Sequence, residues 1–460
     1  MNPHYDILII GNGIIGCMSA LKLANQSDRI KVGLIGPEKR YGSASVAAGA
    51  MLNVFGEIDY FKTKDEYIQR KLKIGCLAIP KWLEFLESYN LKSSVLVADS
   101  TVVYLKPDAT ELESGCFNAI KKASLDHKKL TEDSPNIDFL KSHMQIGSSA
   151  TFLELNDEMA ISTPLLFSWF DKKFRETKNI DLIDSYAEKI EPNSSYISIE
   201  TRDETLSTSK VLLAAGAYSN DVLREISNEV IPLLFGAGTA MQISLPNDSK
   251  NILPPKCVVR SPNRGSTCGI HIVPRDNGIY YLGAGNFVTH KPVKGHRLLT
   301  IKYLLECFES DFTKEVNKSL VEPILGFRPI SLDGKPMIGP LRSCPSIFVA
   351  TGTKRDGLTY SPIIVDDVYN WFNDKKRTEN FIGWEPDRKL ISYGDRSLAI
   401  QSYVDNKIGG LVEHNTITKA DIDRVEKELR NEAKLFYEKI CFKFNLNDNF
   451  GIHPEVLNTF

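Results

Sequence analysis

The stretch "YDILIIGNGIIGCMSALKLA", residues 5 to 24, commits the start of the chain to one local arrangement. A short β-prone run leads into Gly11, Gly13 and Gly16 at GxGxxG spacing, and small and apolar residues then recur at helical intervals. The three glycines have separate tasks: a tight turn, close approach of backbone to a pyrophosphate, and close packing of helix on strand. A helix beginning there offers unpaired N–H groups and the positive end of its dipole, so Ile14 and Ile15 join the glycines as candidates for holding a dinucleotide.

The next strand, "KVGLIGP", should end in an acidic residue that holds the adenosine ribose. It ends instead in Gly36, followed by Pro37 and Glu38. That leaves Glu38 or backbone groups for the ribose, and opens an NADP reading in which Lys39 or Arg40 meets a 2'-phosphate.

Three later segments point at the same kind of ligand. "YGSASVAAGAMLN" (41 to 53) combines small residues, which let a backbone approach a bulky group, with the hydroxyls of Ser43 and Ser45. "KVLLAAGAYSNDV" (210 to 222) is a β run ending at Ala215-Gly216-Ala217, and "SIFVATGTKRDGLTYSPIIVDDVYNWF" (346 to 372) reads as strand, Gly-rich turn and helix. Strand-to-turn elements so far apart in the chain are expected to converge on one extended ligand. Between them, "GFRPISLDGKPMIGP" (326 to 340) sets a permanent cation, Arg328, in a stretch that otherwise reads as buried strand and turn. An internal ion pair and a ligand contact are both open for it.

In that order, "GNGIIG", "SASVAAGAML", "AAGAYS", "GFRPISLDGKPMIGP" and "TGTKRDGLTYSP" resemble the D-amino acid oxidase superfamily of FAD enzymes, within it the glycine oxidase and amine oxidase branch. The resemblance covers roughly residues 1 to 372. It implies an α/β fold: a Rossmann-like FAD-binding domain from 1–80, 151–222 and 324–374, with an inserted antiparallel-sheet substrate domain from 81–150 and 223–323. Residues 375–460 would be a C-terminal helical extension.

The resemblance also implies roles. Gly11 to Gly16 would meet the pyrophosphate; Ser43, Ser45, Ala48, Gly49 and Met51 would run along it toward the flavin, with Gly216 nearby. Ala187 would contact the adenine portion, and Gly352, Asp356, Gly357, Leu358 and Thr359 would line the pyrimidine edge. Arg328 stands where these oxidases hold the substrate carboxylate, a group that a guanidinium fork grips and orients with two parallel bonds. His271, in the hairpin "CGIHIVPRDNGIYYLGAGN" with its turn at Asp276-Asn277-Gly278, would touch or deprotonate the substrate ammonium, and Arg355 would make a second polar contact. Cys344 lies out of register with the cysteine of covalently flavinylated members, so FAD is expected without a covalent link. The implied reaction passes hydride from a small amine or amino acid to flavin, with imine hydrolysis and reoxidation by molecular oxygen or another acceptor. A hydroxy acid or quinone-linked dehydrogenase, a tRNA-side-chain oxidoreductase and a flavin-binding subunit are the alternatives.

Composition narrows the field. A formal charge of -2 without a long Lys/Arg run argues against nucleic acid or an anionic membrane as partner, and so against the tRNA alternative. The eight cysteines form no CxxC pair and no zinc-ligand spacing, which suits reduced thiols of a cytoplasmic protein and implies no metal. No apolar run reaches the length of a membrane span, and the apolar N-terminus lacks a basic leader region. In the extension, Ile422, Val425, Leu429, Ala433, Phe436 and Ile440 form one apolar face at helical spacing. That face is expected to dock on the protein's own core; covering the site's mouth or forming a homo-oligomer contact are its other uses.

Overall fold

In the computed structural model, residues 4–459 are described apart from 57, 59–64, 247–251, 266, 276, 277, 315–317, 415 and 458. The strand His4–Ile10 pairs in parallel with Val32–Ile35 on one side and with Thr205–Leu213 on the other. Ile180–Ile183 and Ile347–Thr351 extend this parallel array, Met337–Pro340 closes one edge antiparallel, and the strands Ala187–Pro192 and Ile197–Thr201 fold against Thr205–Leu213. Every residue of the helix Ile14–Ala24 is buried except Lys22, as its small and apolar residues require. It packs on this eight-stranded sheet beside the helix Gly357–Phe372, which in turn packs against Glu66–Ser88.

A second, eleven-stranded sheet has its long pair, Leu233–Ser244 and Leu320–Ser331, next to one edge. It is mostly antiparallel, with two parallel pairings, Cys257–Arg260 on Leu96–Leu105 and Gly42–Ser43 on Leu320–Ser331. The expected division of the chain shifts here. Thr151–Ile161, assigned by the sequence to the returning dinucleotide-binding segment, is the antiparallel partner of Leu96–Leu105. Its buried face packs with the substrate-side helices, and the chain re-enters the smaller sheet only at Ile180. The helix Thr163–Glu176 between them starts as its Pro164 suggests, although Ser162 makes no side-chain capping bond. The expected hairpin turn falls partly outside the described residues at Asp276 and Asn277, and its strands Thr267–Pro274 and Ile279–Gly285 pair antiparallel.

The extension docks on the chain's own core. Arg396–Glu413 packs against Ile422–Phe444; Ala433, Tyr437 and Ile440 are buried in the apolar cluster behind the smaller sheet, with Leu429 and Phe436 partly covered, and Val425 is also buried. Each fully buried aliphatic or aromatic side chain contributes about 1.5–3 kcal/mol to such docking. A polar clamp accompanies it: Arg388 Nη2 donates to both oxygens of Asp333 at 2.9 and 3.0 Å, and Asp333 also accepts from Ser331 Oγ and from the amides of Lys335 and Ile391. His453 lies against Gly334, where an added Cβ would fall 2.2 Å from its ring. The turn after Arg328 is thus held by the extension. Among the described residues no helix is long and apolar enough to cross a membrane.

Candidate functional site

A cavity of ≈ 600 Å³ opens beyond the carboxyl ends of the parallel strands and under the larger sheet. It lies where His4–Ile10 and Thr205–Leu213 diverge, the switch point at which open α/β sheets bind ligands. Most of the predicted residues meet there: Gly11, Gly13, Ile14, Ile15, Ser43, Ser45, Ala48, Gly49, Met51, Ala187, Gly216, Asp356 to Thr359, His271, Arg328 and Arg355 all line it. Gly16 and Gly352 do not. A Cβ on Gly16 would fall 1.8 Å from the Gly11 carbonyl, so this glycine lets helix and turn touch; Gly352, at φ +69°, shapes the turn against Met337.

The floor suits a dinucleotide's phosphates. Gly11 has φ +109°, and a Cβ there would meet the Ala214 carbonyl at 2.4 Å. Gly13 keeps ordinary extended backbone at φ -74°, with Ser45 Oγ beside it accepting from the Ile14 amide. Its lack of a side chain therefore serves the cavity and not the turn. At one end Ala187 and Glu188 line the wall; at the other the first turn of Gly357–Phe372 presents its amides, fixed by the Trp82 Nε1 bond to Leu358 O and by Lys71 on Asp356 at 2.9 Å. A glycine-floored trough with one helix N-terminus at its floor and another at one end suits the extended shape and charge of FAD.

The ribose end departs from the expectation. Glu38 does not line the cavity; Asp184 accepts its backbone amide, and its carboxylate lies 3.6 Å from Arg175. Arg40 is not a reader of a 2'-phosphate: it donates two bonds to Asp171 and one to the Asn12 carbonyl, bracing the glycine turn. The missing acid at Gly36 has a local cause. Asn12 crosses over it, donating to the Pro37 carbonyl, and a Cβ on Gly36 would come within 2.5 Å of that side chain.

Arg328 reaches into the opposite end from the strand Leu320–Ser331. Gly238 on the paired strand leaves room for it, since a Cβ there would fall 2.8 Å from the guanidinium nitrogens. Among the described residues its bonds go to neutral oxygens, Asn286 Oδ1 at 3.1 Å and Gly285 O at 3.4 Å. Among the described residues it makes no internal ion pair, the alternative that sequence left open for it. His271 is buried, its Nδ1 3.1 Å from the Gly269 carbonyl, and its ring stacks near Tyr281 at 5.8 Å and 18°. A carbonyl only accepts, so this contact is a hydrogen bond when Nδ1 carries the proton.

Arg355 differs from expectation. It pairs with Glu455 of the extension at 3.1 Å, beside Lys354 on the same carboxylate at 2.7 Å, while Asn286 Nδ2 donates to the other oxygen at 3.3 Å. Burial pushes the Glu455 carboxyl up, but Lys354, Arg355 and His453 outweigh it and hold the group well below the usual carboxylate range. A chain of bonds therefore runs from Arg328 through Asn286 to Glu455 and Arg355.

Sequence reasoning missed Asn286, Glu455, Tyr281 and Arg275. Tyr281, its phenol pushed up to about 12 by burial, donates to Ala47 O; Arg275, pushed down to about 10 by burial, donates to Ile161 O, Ala48 O and Gly49 O. Both pin the 41–53 segment beneath the larger sheet. The "PRDNGIYY" hairpin carried no signal for them, since an arginine beside a β-turn is ordinarily a solvated surface residue.

A profile of the family described as "DAO: FAD dependent oxidoreductase" matches residues 6–368. No curated protein sequence matches the chain. Among solved structures, glycine oxidase from Geobacillus kaustophilus superposes with a TM-score of 0.71 at 17% identity, covering 85% of this chain and 100% of that one. L-proline dehydrogenase from P. horikoshii gives 0.64 at 15% identity, with 84% and 98% covered. Dithionite-reduced L-alpha-glycerophosphate oxidase from Mycoplasma pneumoniae, with FAD bound, gives 0.63 at 18% identity, with 85% and 99% covered. At these identities the likeness is one of fold.

Proposed function

The chain belongs to the DAO family of FAD dependent oxidoreductases, and on that premise we propose that it oxidises the carbon–nitrogen bond of a small amino or imino acid. The observation that carries this reading is Arg328, a guanidinium lining the cavity end opposite the phosphate floor and bonded only to neutral oxygens among the described residues. Such a cation is suited to a carboxylate, which it would hold by two parallel bonds.

FAD would lie along Gly11 to Ile15, Ser43 to Met51 and Ala187, with Asp356 to Thr359 at its pyrimidine edge. When bound, it supplies the hydride acceptor and returns the electrons to oxygen as hydrogen peroxide, or to another acceptor. The protein's part is placement. Arg328 fixes the carboxylate and with it the α-carbon, a constraint that accelerates the step as well as strengthening binding. His271 Nε2 would take a proton from the substrate ammonium, so that the nitrogen lone pair is free as the α-hydrogen leaves as hydride. Loss of that hydride and of one further N–H proton leaves an imine, which water converts to a carbonyl compound and ammonia or an amine. Glu455 would set the position of Arg355 and, through Asn286, of Arg328.

The test is anaerobic mixing of the FAD-loaded protein with a panel of amino and imino acids while flavin absorbance is followed. Bleaching by carboxylate-bearing amines is expected. A loaded flavin that no amine bleaches, but that a hydroxy acid does, would replace this reading with the dehydrogenase one. The cofactor site has its own test. Gly13→Val adds bulk without straining the backbone, and is expected to weaken FAD binding about a hundredfold in ultrafiltration titrations. Unchanged binding would move the pyrophosphate elsewhere.

A further inference from the structure

A second cavity, of ≈ 610 Å³, adjoins the first. Cys268, Lys354, Arg355 and Asp356 line both, so the two share a wall at the substrate end. Much of the second cavity's remaining wall comes from the extension, including Tyr403, Lys407, His414 and Glu455. The family match ends at residue 368, and the superposed structures, nearly complete themselves, account for no more than 85% of this chain. The compartment is therefore a property of the added segment.

Its charge is lopsided. Lys71 is balanced by Asp356, Arg264 by Glu113, and Lys354 with Arg355 by Glu455. Of the remaining cations in its wall, Lys335 lies over the Tyr67 ring at 3.2 Å, and for Arg297 and Lys407 no described carboxylate lies within ion-pair distance. Arg297, exposed, lies over the Phe287 ring at 3.8 Å; Lys407, half-buried, lies 5.7 Å from the Tyr403 ring. Phe287 follows Asn286, the residue that holds Arg328. Burial pushes both cations below their ordinary pKa values; Glu432 opposes this at Lys407, while the charge of Arg297 adds to it. Two cations that desolvate and repel one another are a cost unless an anion comes between them.

Resting on the oxidase reading above, we propose that the extension builds a second compartment of the substrate site, in which Lys407 and Arg297 receive a further anionic group, a carboxylate or phosphate, on an amine whose α-carboxylate is held by Arg328. The substrate is thus a dianionic amine, too long for the first cavity alone. Small neutral-side-chain amino acids fill only half of the site.

Calorimetric titration of the FAD-loaded protein with unreactive probes tests this: acetate, the dicarboxylates from malonate to suberate, and inorganic phosphate. A dicarboxylate of matching length is expected to bind about tenfold or more tightly than acetate, and raised salt should narrow the gap. The double variant Arg297→Ala/Lys407→Ala should close it, whereas Lys407→Arg should keep it. Anaerobic bleaching by paired amines, one bearing a second carboxylate and one a phosphate, then identifies the anion. Equal binding of mono- and dicarboxylates, or a gap that survives the double variant, overturns the proposal. The outcomes separate the two readings: a dicarboxylate preference without amine bleaching removes the oxidase assignment alone, and bleaching without the preference removes the second compartment alone.

Discussion

Replacing Arg328 with alanine is expected to lower kcat/KM for a carboxylate-bearing amine by about two to three powers of ten, as loss of a partly buried charged hydrogen-bonding partner costs roughly 2–5 kcal/mol. The flavin spectrum and thermal stability of the variant should stay close to those of the parent, because the guanidinium's recorded bonds go to one side-chain amide and one carbonyl, not to a buried acid. Arg328→Lys should recover only part of the loss, since an ammonium supplies charge without the fork that sets orientation. Rapid-reaction bleaching rates across substrate concentration separate the effects. A clamp predicts weaker binding together with a slower hydride step. If the alanine variant bleaches like the parent, the carboxylate is held elsewhere and Arg328 serves only to carry Asn286.

The second large effect concerns stability. Asp333→Ala is expected to destabilise the protein by about 3–5 kcal/mol, the range for removing one partner of a buried ion pair. Asp333 is 3% exposed and Arg388 7%, and the carboxylate also accepts from two backbone amides and a serine. The single variant leaves Arg388 charged in a dry place, so Asp333→Ala/Arg388→Met should regain much of the loss. Denaturant unfolding followed by tryptophan fluorescence gives both values. A single variant that loses less than about 1 kcal/mol would show that water reaches the pair and that the clamp is a surface contact.

How much could be read beforehand depended on how local the cause was. The glycine turn and the apolar face of Ile422–Phe444 are set by neighbours within a few residues, and they appear where spacing placed them. The sheet to which Thr151–Ile161 belongs was not legible, because a strand's partner is chosen by packing over the whole layer. The same holds within the site. Arg328 stood out because a cation is unusual in an apolar run, whereas Asn286 and Glu455 carry no local signature and acquire meaning only when the fold brings them to it. Arg40 and Glu38 were misread for the converse reason: charged residues after the second strand looked like nucleotide readers, and the fold gave them Asp171 and Arg175. Gly36 was correctly seen as a departure, but its explanation lay in Asn12, whose side chain direction no pattern reports.

The brace that Glu455 supplies to Arg355 spans 100 residues, and the clamp on Asp333 spans 55. During synthesis the glycine floor, both sheets and Arg328 itself emerge from the ribosome well before the segment that completes them. The bonds from Glu455 can form only once the chain has been made through that residue, after every element that lines the first cavity.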